Sequence, residues 1–156
     1  FTNAWRTLGM KTALLVLFGD AFKGFLAVLI GAKIDGDLGM MVAFVMVIIG
    51  HSFSYMIHFK GGKGIATAAG ALLYISPATL IALAFIVLVI VGITKYMSLG
   101  SIIVAVLCPF FLYLNHQSAI VVGTVTVVAT YVIWLHRGNI KRLLNGTENK
   151  IGVKRS

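Results

Sequence analysis

Long apolar runs, separated by short polar segments, make up most of this chain. A helix needs roughly 20 apolar residues to cross the hydrocarbon core of a bilayer, and most of the runs have about that length. The chain is 60% hydrophobic and only 11% charged, which excludes an ordinary soluble domain. We therefore predict an all-α, polytopic membrane protein in which residues 1–156 form one transmembrane domain. The runs extend from about Thr12 to Ala32, Leu38 to Phe59, Ile65 to Ile93, Leu99 to Leu114 and Ala119 to Leu135.

The third run is too long for one crossing and short for two. It contains Ser76 followed by Pro77. Proline disfavours a helical conformation in the residue before it and removes a backbone donor. We expect the chain to turn back at this point, so that the piece before Ser76 is a short helix and the chain has six visible spans.

The distribution of positive charge favours the same topology. The chain has 13 Lys and Arg against 4 Asp and Glu, a formal charge of +9. If the chain reverses at Ser76, all the basic residues except Lys23 and Lys33 fall on one side of the membrane. Cytoplasmic loops are enriched in Lys and Arg, so this side is predicted to be cytoplasmic. The positive charge is then explained by membrane topology and by the binding of anionic small molecules, and we expect no nucleic-acid partner.

The segment HFKGGKGIAT, residues 58–67, joins the second and third runs and carries two lysines among three glycines. Glycine allows successive N–H groups to form a concave anion site, and the following helix N-terminus also favours negative charge. Lys60, Gly61, Gly62 and Lys63 are therefore candidates to bind phosphate. The two lysines are equally well explained as topology signals beside lipid headgroups.

Two other groups of polar residues lie within or beside the spans. Asp20 and Lys23 are three residues apart in a span and can pair on one helix face. His51 and His58 lie two turns apart at the end of the second span. No Cys or carboxylate clusters near them, so we interpret them as hydrogen-bonded histidines and expect no metal site. Ser98 lies just before the apolar run that begins at Leu99, where it could cap that helix.

The final segment, WLHRGNIKRLLNGTENK at residues 134–150, predicts a short helix lying in the membrane interface. His136 and Asn139 stand at or just before its start. The segments on the basic side contain cations, amides and hydroxyls, and Glu148 is their one acidic residue. A paired-carboxylate hydrolase or a carboxylate-bound metal centre is therefore disfavoured, and a phosphate-bearing substrate is favoured.

Three blocks in this order resemble the motifs of the bacterial acyl-phosphate:glycerol-3-phosphate acyltransferases, the PlsY family. They are FTNAWRTLGMK followed by D-x-x-K-G, then GHSFSYMIHFKGGKGIAT, and then LHRGNIKRLLNGTENK. The weaker element KYMSLGSI lies between the second and third blocks. The resemblance covers nearly the whole chain.

The resemblance implies a seven-helix enzyme of the bacterial inner membrane with its active site on the cytoplasmic face. Its first helix and one site serine would precede residue 1, so we expect the chain to be N-terminally incomplete. The implied reaction transfers a fatty acyl group from acyl phosphate to the 1-hydroxyl of glycerol 3-phosphate, without a cofactor or metal. Membrane lipid is the implied surrounding partner.

The resemblance also implies roles for particular residues. His136 and Asn139 would be catalytic and orient the reacting atoms. Arg6, Lys63 and Ser101 would hold phosphate. Together with Lys60, Gly61, Gly62 and Ser98 they make up the predicted substrate-binding residues.

A transporter for phosphate or a small organic anion is the alternative. It would also place cations at helix ends, but it would favour inverted repeats and a site near the middle of the bilayer. The sequence contains no visible repeat, and its cations gather on one side.

Overall fold

The computed structural model describes residues 2–53 and 62–152, and every regular element in these ranges is an α-helix. The all-α prediction is therefore confirmed. Lys60, Gly61 and His58 lie outside the described residues, and the side chain of Arg6 is outside the description as well. The helices are α1 (Thr2–Ser52), α2 (Ile65–Ile75), α3 (Pro77–Thr94), α4 (Met97–Leu114), α5 (Ala119–Leu135) and α6 (Arg137–Leu144).

Helix α1 contains a reversal near its middle. The backbone leaves helical geometry at Asp35 (φ −151°, ψ 46°) and at Gly36 (φ 49°, ψ −135°). The first arm (residues 10–34) and the second arm (residues 37–52) then pack side by side. A Cβ on Gly31 would lie only 2.3 Å from the carbonyl oxygen of Gly39, so the two arms approach closely where glycines meet. The two arms correspond to the first two predicted spans.

The predicted break at Ser76 and Pro77 is confirmed. Ser76 is extended (φ −158°, ψ 89°), and its hydroxyl oxygen accepts a hydrogen bond from the Thr79 N–H at 3.3 Å. Ser76 thus serves as the N-cap of α3, and Pro77 occupies the first helical position, where its missing N–H costs nothing. The chain ends α2 and starts α3 within one residue.

Contacts at the helix ends show how α3, α4 and α5 run. Asn115 Nδ2, just after α4, donates a hydrogen bond to Thr79 Oγ1, just after the start of α3, at 3.1 Å. Helices α3 and α4 are therefore antiparallel. Ser118 Oγ, just before α5, donates to Asp37 Oδ2 at 2.5 Å, where the second arm begins. These contacts define the acidic end of the bundle, which contains Asp35 and Asp37.

The opposite end carries the positive charge. Gly64, at the start of α2, contacts Ile48 near the end of the second arm and Val132 near the end of α5. We call this the basic end, because Lys63 and Arg137 lie beside those contacts in the chain. The clustering of cations at one end agrees with the predicted topology.

Helix α2 crosses the first arm at very short distance. A Cβ on Gly24 would lie 2.0 Å from the Thr67 carbonyl oxygen, and a Cβ on Gly70 would lie 1.8 Å from that of Ala21. The rings of Phe25 and Tyr74 meet edge to face farther along, with centroids 6.0 Å apart. Close packing against the first arm therefore explains the glycine at position 70.

The bundle has the surface of a membrane protein. Large apolar side chains are exposed along both arms and along α3, among them Leu15, Ile34 and Ile93. By length and composition, three of the described helices can cross a membrane: Thr7–Ser52, which includes both arms, Pro77–Thr94 and Met97–Leu114. The number becomes four if Ala119–Leu135 and Arg137–Leu144, which are bent by 56°, are taken as one span. The apolar surface is available to lipid chains.

The two ends of the bundle should lie on opposite sides of the membrane. Single cysteines in place of exposed Asp35 and His116, in a Cys108→Ala background, should react with an impermeant thiol reagent from the same side. A cysteine in place of Asn145, after α6, should react only from the other side. Labelling of intact and inverted vesicles measures this. Reaction of all three from one side would contradict the two reversals at Gly36 and Ser76.

The close contact between α2 and the first arm at Gly24 and Gly70 should be sensitive to one added methyl group. Gly24→Ala and Gly70→Ala each place a Cβ against a backbone carbonyl that cannot rotate away, so we expect each to lower stability by roughly 1–3 kcal/mol or more. Gly123→Ala is the matched control, because no heavy atom lies within 4 Å of its Cβ position. Thermal unfolding in detergent measures the effect. Equal melting temperatures for Gly24→Ala and Gly123→Ala would show that the crossing is not this close.

Candidate functional site

Polar side chains converge at the basic end, where α5 gives way to α6. His136 stands at the bend between the two helices. Its N–H donates to the carbonyls of Val132 and Ile133, and its own carbonyl accepts from Asn139 N–H at 2.8 Å. One residue thus closes α5 and begins α6. The predicted short helix is confirmed, with His136 directly before it and Asn139 in its first turn.

Four side chains form a continuous hydrogen-bonded chain across this bend. Lys63 Nζ donates to Asn139 Oδ1. Asn139 Nδ2 donates to Glu148 Oε1 at 3.0 Å, and Arg142 Nε donates to Glu148 Oε2 at 2.7 Å. The Asn139 amide therefore links an ammonium group to a carboxylate, and its orientation is determined from both sides. The loop before α2 is in this way connected to α6 and to the segment after α6.

Glu148 is the buried anion that organises these cations. Burial by itself raises the pKa of Glu148, but the hydrogen bonds from Asn139 and Arg142 and the positive charge of Arg142 bring it below its ordinary value. The carboxylate is therefore ionised at neutral pH. The Ser98 hydroxyl is buried close enough to help lower this pKa, although it makes no hydrogen bond of ordinary geometry among the described residues.

His136 is buried with only 3% of its surface exposed. Its Nδ1 donates to the Val132 carbonyl at 2.8 Å, which leaves Nε2 as an acceptor in the neutral ring. Burial lowers the pKa of His136, and the charge of Lys63 lowers it further, while the Val132 hydrogen bond and Glu148 oppose the shift. The ring is neutral at pH 7 and can accept a proton at Nε2.

A cavity of about 310 Å³ opens beside this chain of hydrogen bonds. Three of its side chains are cationic, so the cavity suits a small anion. The guanidinium of Arg137 also lies 3.9 Å from the centre of the Trp134 ring, which limits its position. The residues that line the cavity are Lys63, Leu135, Arg137, Gly138, Asn139 and Arg142.

The N-terminus of α2 adds a further positive potential. Gly64 occupies the cap position with φ 82°, and no side chain caps the helix. The first N–H groups of a helix have no intrahelical acceptor and carry the positive end of its dipole. Lys63 directly precedes this terminus. The arrangement favours a phosphate group near Lys63, as the glycine and lysine pattern predicts.

The structure brings together part of the predicted site. Lys63, His136 and Asn139 lie at one place, and Ser98 and Ser101 are both buried on α4 one turn apart. Ser101 Oγ donates to the Met97 carbonyl at 3.0 Å. The capping interpretation of Ser98 is wrong, because α4 begins at Met97 and its cap position is Tyr96.

The structure describes only some of the other residues that were predicted to bind phosphate. Gly62 is exposed and lies against the ring of His51. Arg6, Lys60 and Gly61 stay predictions, since the first has no described side chain and the other two lie outside the described residues.

Sequence reasoning missed Glu148 and Arg142 as members of the site. The signal for Glu148 was present, because it is the one acid among basic segments. The predicted pair of Asp20 and Lys23 is confirmed at 2.5 Å. The prediction that His51 is hydrogen-bonded is also confirmed, since its Nδ1 lies 2.7 Å from Lys23 Nζ.

Within residues 2–53 and 62–152, no three His, Cys, Asp or Glu side chains are grouped so as to bind one metal ion. The groups that do converge at the basic end are cations, an amide, a carboxylate and a neutral imidazole. Residues 1–146 match the family model described as glycerol-3-phosphate acyltransferase. The chain belongs to the glycerol-3-phosphate acyltransferase family.

Curated members of the glycerol-3-phosphate acyltransferase family are similar along almost the whole chain. The glycerol-3-phosphate acyltransferase of Desulforamulus reducens is 43% identical over 157 residues, which cover 99% of this chain and 78% of that protein. Glycerol-3-phosphate acyltransferase 2 of Moorella thermoacetica is 45% identical, with coverage of 98% and 79%. The similarity therefore includes every segment of the candidate site.

Solved structures of a glycerol 3-phosphate acyltransferase have the same fold. The crystal structure of PlsY, an integral membrane enzyme, in its glycerol 3-phosphate form matches with a TM-score of 0.92 and 35% identity, covering 97% of this chain and 76% of that one. Its lysophosphatidic acid form matches with a TM-score of 0.91, also at 35% identity, covering 97% and 78%. The chain is thus an integral membrane acyltransferase with the PlsY arrangement of helices.

The role of Glu148 predicts a pH-dependent stability. Because its pKa is lower in the folded than in the unfolded protein, its stabilisation is complete above about pH 4.3 and is lost as the pH falls through the folded value. Glu148→Gln should lower stability at pH 7 by roughly 1–3 kcal/mol, since it removes a charge-assisted partner from Asn139 and Arg142. Below about pH 4.3 the difference from the unmodified protein should shrink.

Thermal unfolding measured from pH 7 to pH 3 checks this prediction. Asp35→Asn, which changes an exposed carboxylate at the acidic end, is the control and should not lower stability at pH 7 as Glu148→Gln does. A constant difference between Glu148→Gln and the unmodified protein across the whole range would contradict the buried ionised carboxylate.

Proposed function

We propose that this chain transfers a fatty acyl group from acyl phosphate to the 1-hydroxyl of glycerol 3-phosphate, producing lysophosphatidic acid and inorganic phosphate. The observation that carries the proposal is the cavity bordered by Lys63, Asn139 and Arg142, in a chain that belongs to the glycerol-3-phosphate acyltransferase family. It is supported by the likeness to PlsY, whose structures were obtained in glycerol 3-phosphate and lysophosphatidic acid forms.

Cations take the phosphate groups in this proposal. Lys63 lies at the uncapped N-terminus of α2 and is the central phosphate ligand, with Arg6 and Ser101 as further ligands. Two negatively charged substrates repel each other, so the cations also offset the cost of bringing them together. The other proposed binding residues are Lys60, Gly61, Gly62 and Ser98.

His136 and Asn139 align the reacting atoms. The free Nε2 of a neutral His136 can accept a hydrogen bond from the 1-hydroxyl of glycerol 3-phosphate, because Nδ1 is already engaged by Val132. Asn139 holds Lys63 on one side and is itself held by Glu148 on the other. The two residues are one helical turn apart and act on the same alignment.

The proposed reaction requires the protein mainly to align the two substrates and to supply positive charge. The 1-oxygen attacks the acyl carbon, the bond between that carbon and the phosphate oxygen breaks, and phosphate departs with the electron pair. The hydroxyl proton passes to His136 Nε2 or to a phosphate oxygen. Acyl phosphate is already activated, and positioning alone can supply roughly 7–11 kcal/mol. Nearby cations stabilise the negative charge that develops on the acyl carbonyl oxygen as the 1-oxygen attacks.

The reaction is proposed to occur at the cytoplasmic face of a bacterial inner membrane. The support is the gathering of Lys63 and Arg137 at one end of the bundle, with Asp35 and Asp37 at the other. The acyl chain enters from the bilayer, because the exposed surface of the helices is apolar. Glycerol 3-phosphate enters from water on the same face.

The direct test mixes the purified protein with acyl phosphate and glycerol 3-phosphate, and follows the release of phosphate and the formation of lysophosphatidic acid. Lys63→Ala should reduce the rate roughly 10²–10³-fold, as the loss of one oriented charge or donor commonly does. Lys11→Ala, which changes an exposed charge on the first arm, should be near normal. Full activity of Lys63→Ala, or no acyl transfer by the unmodified protein, would overturn the proposal.

The alignment role of His136 predicts a particular kinetic pattern. His136→Ala should lower kcat by roughly 10²–10⁴-fold with a smaller change in the KM for glycerol 3-phosphate, because a proton-accepting interaction acts in the transition state. Asn139→Ala should behave similarly, and the double variant should be less impaired than the product of the two effects. Arg6→Ala should instead raise KM at least as much as it lowers kcat. Near-normal kcat in both His136→Ala and Asn139→Ala would contradict the alignment role.

A further inference from the structure

A second cluster of ionisable side chains lies inside the bundle, outside the cavity. Lys23 Nζ donates to Asp20 Oδ1 at 2.5 Å and to His51 Nδ1 at 2.7 Å. His51 Nδ1 is also 3.4 Å from Asp20 Oδ1. Asp20 and His51 are largely buried. We refer to these three residues as the arm cluster, since it joins the first arm of α1 to the second.

The histidine is the unexpected member of the arm cluster. Charges within membrane spans are costly unless they are paired, and Asp20 with Lys23 already satisfies that requirement. A pair serving only neutrality has no need of a third partner on another arm. His51 adds a connection to the end of the second arm.

The backbone just before α2 contacts the same histidine. A Cβ on Gly62 would lie 2.2 Å from His51 Nε2, so the Gly62 backbone rests against the imidazole ring. One residue later comes Lys63, whose ammonium group bonds to Asn139. The arm cluster therefore contacts the residue directly before Lys63, and Lys63 lines the cavity.

Helix α2 rests on the same short segment of the first arm. The Thr67 carbonyl packs on Gly24, and Gly70 packs on Ala21. The segment 20–24 therefore holds His51 through its two charged residues and supports the first turns of α2 through its small residues. Lys63 lies between these two supports, so the direction of its side chain depends on both.

We propose that Asp20, Lys23 and His51 are positioning residues for Lys63. The ion pair holds the His51 ring, the ring sets the place of the Gly62 backbone, and that backbone sets the direction in which Lys63 extends to Asn139 and to a bound phosphate. The kinetic part of this proposal rests on the proposed acyl transfer to glycerol 3-phosphate; the geometric part does not.

The kinetic test compares substitutions of His51 that place a hydrogen-bonding group near one or the other ring nitrogen. His51→Ala should raise the KM for glycerol 3-phosphate roughly tenfold or more, the scale on which loss of a supporting hydrogen bond affects a site. His51→Asn keeps an acceptor near the Nδ1 position and should restore much of the loss, whereas His51→Gln places its amide near Nε2 and should not. Lys33→Ala, which changes a basic residue of the first arm near the acidic end, is the control. Equal KM values for His51→Ala and Lys33→Ala would overturn the proposal.

Contact between Gly62 and the ring gives a suppression test. Gly62→Ala should impair the enzyme because its Cβ collides with His51. Adding His51→Ala removes the ring, so the double variant should be no worse than His51→Ala alone. If the two substitutions instead multiply their effects, the ring does not act through Gly62, and the proposal fails.

A third readout requires no enzymatic activity. A cysteine replacing Lys63 in a Cys108→Ala background should be alkylated severalfold faster when His51→Ala is added, because the segment is no longer held. A cysteine replacing Asn145 serves as the reference and should keep its rate. Faster alkylation at both positions would mean a general loss of structure and would overturn a positioning role. If the unmodified protein transfers no acyl group, the proposed function fails, while this alkylation test still decides the role of the arm cluster.

Discussion

Helix α2 can lie against the first arm only because Gly24 and Gly70 have no Cβ. The position of α2 determines where its N-terminus points, and that terminus carries Lys63 toward α6. In lipid there is little hydrophobic drive to bring helices together, so close backbone contact between small residues is an effective source of helix association. The cavity at the basic end depends on this packing, although neither glycine lines it.

At the basic end, charge is arranged around the buried carboxylate of Glu148. Lysine and arginine side chains near one another repel, and long flexible side chains would spread into water unless held. Glu148 holds Arg142 directly and Lys63 through Asn139, which converts mobile cations into an ordered surface for phosphate. An enzyme that acts by electrostatic stabilisation benefits from this order, because preorganised charges need no rearrangement as the reaction proceeds.

The membrane also limits where in the chain the reactive groups can lie. Spans can contain only satisfied backbone and paired charge, so the reactive groups gather at helix ends, where irregular backbone meets water. His136 occupies such an end, between α5 and α6. An acyl chain can remain in the bilayer while its phosphate end reaches the cations, which is the geometry that an enzyme acting on one lipid-soluble and one water-soluble substrate requires.

The sequence by itself determined the helical class, the break at Ser76 and Pro77, and the basic end of the bundle. These follow from local physics: the length of apolar runs, the backbone restriction imposed by proline, and the cost of moving cations across a membrane. The motifs also indicated Lys63, His136 and Asn139, which the structure brings to one place. The pairing of Asp20 with Lys23 was predictable because both stand on one turn of one helix.

Only the tertiary structure decided the partners of these residues. Glu148 is nine residues from Asn139, and His51 is 28 residues from Lys23, so no periodicity links them. Their contacts depend on the bend at His136 and on the reversal at Gly36, which set distances between elements rather than within them. The glycines Gly24 and Gly70 likewise became informative only when the crossing showed which backbone each one faces. Local sequence patterns report the conformation of a segment, whereas the chemistry of this site depends on segments that meet only after the helices have packed.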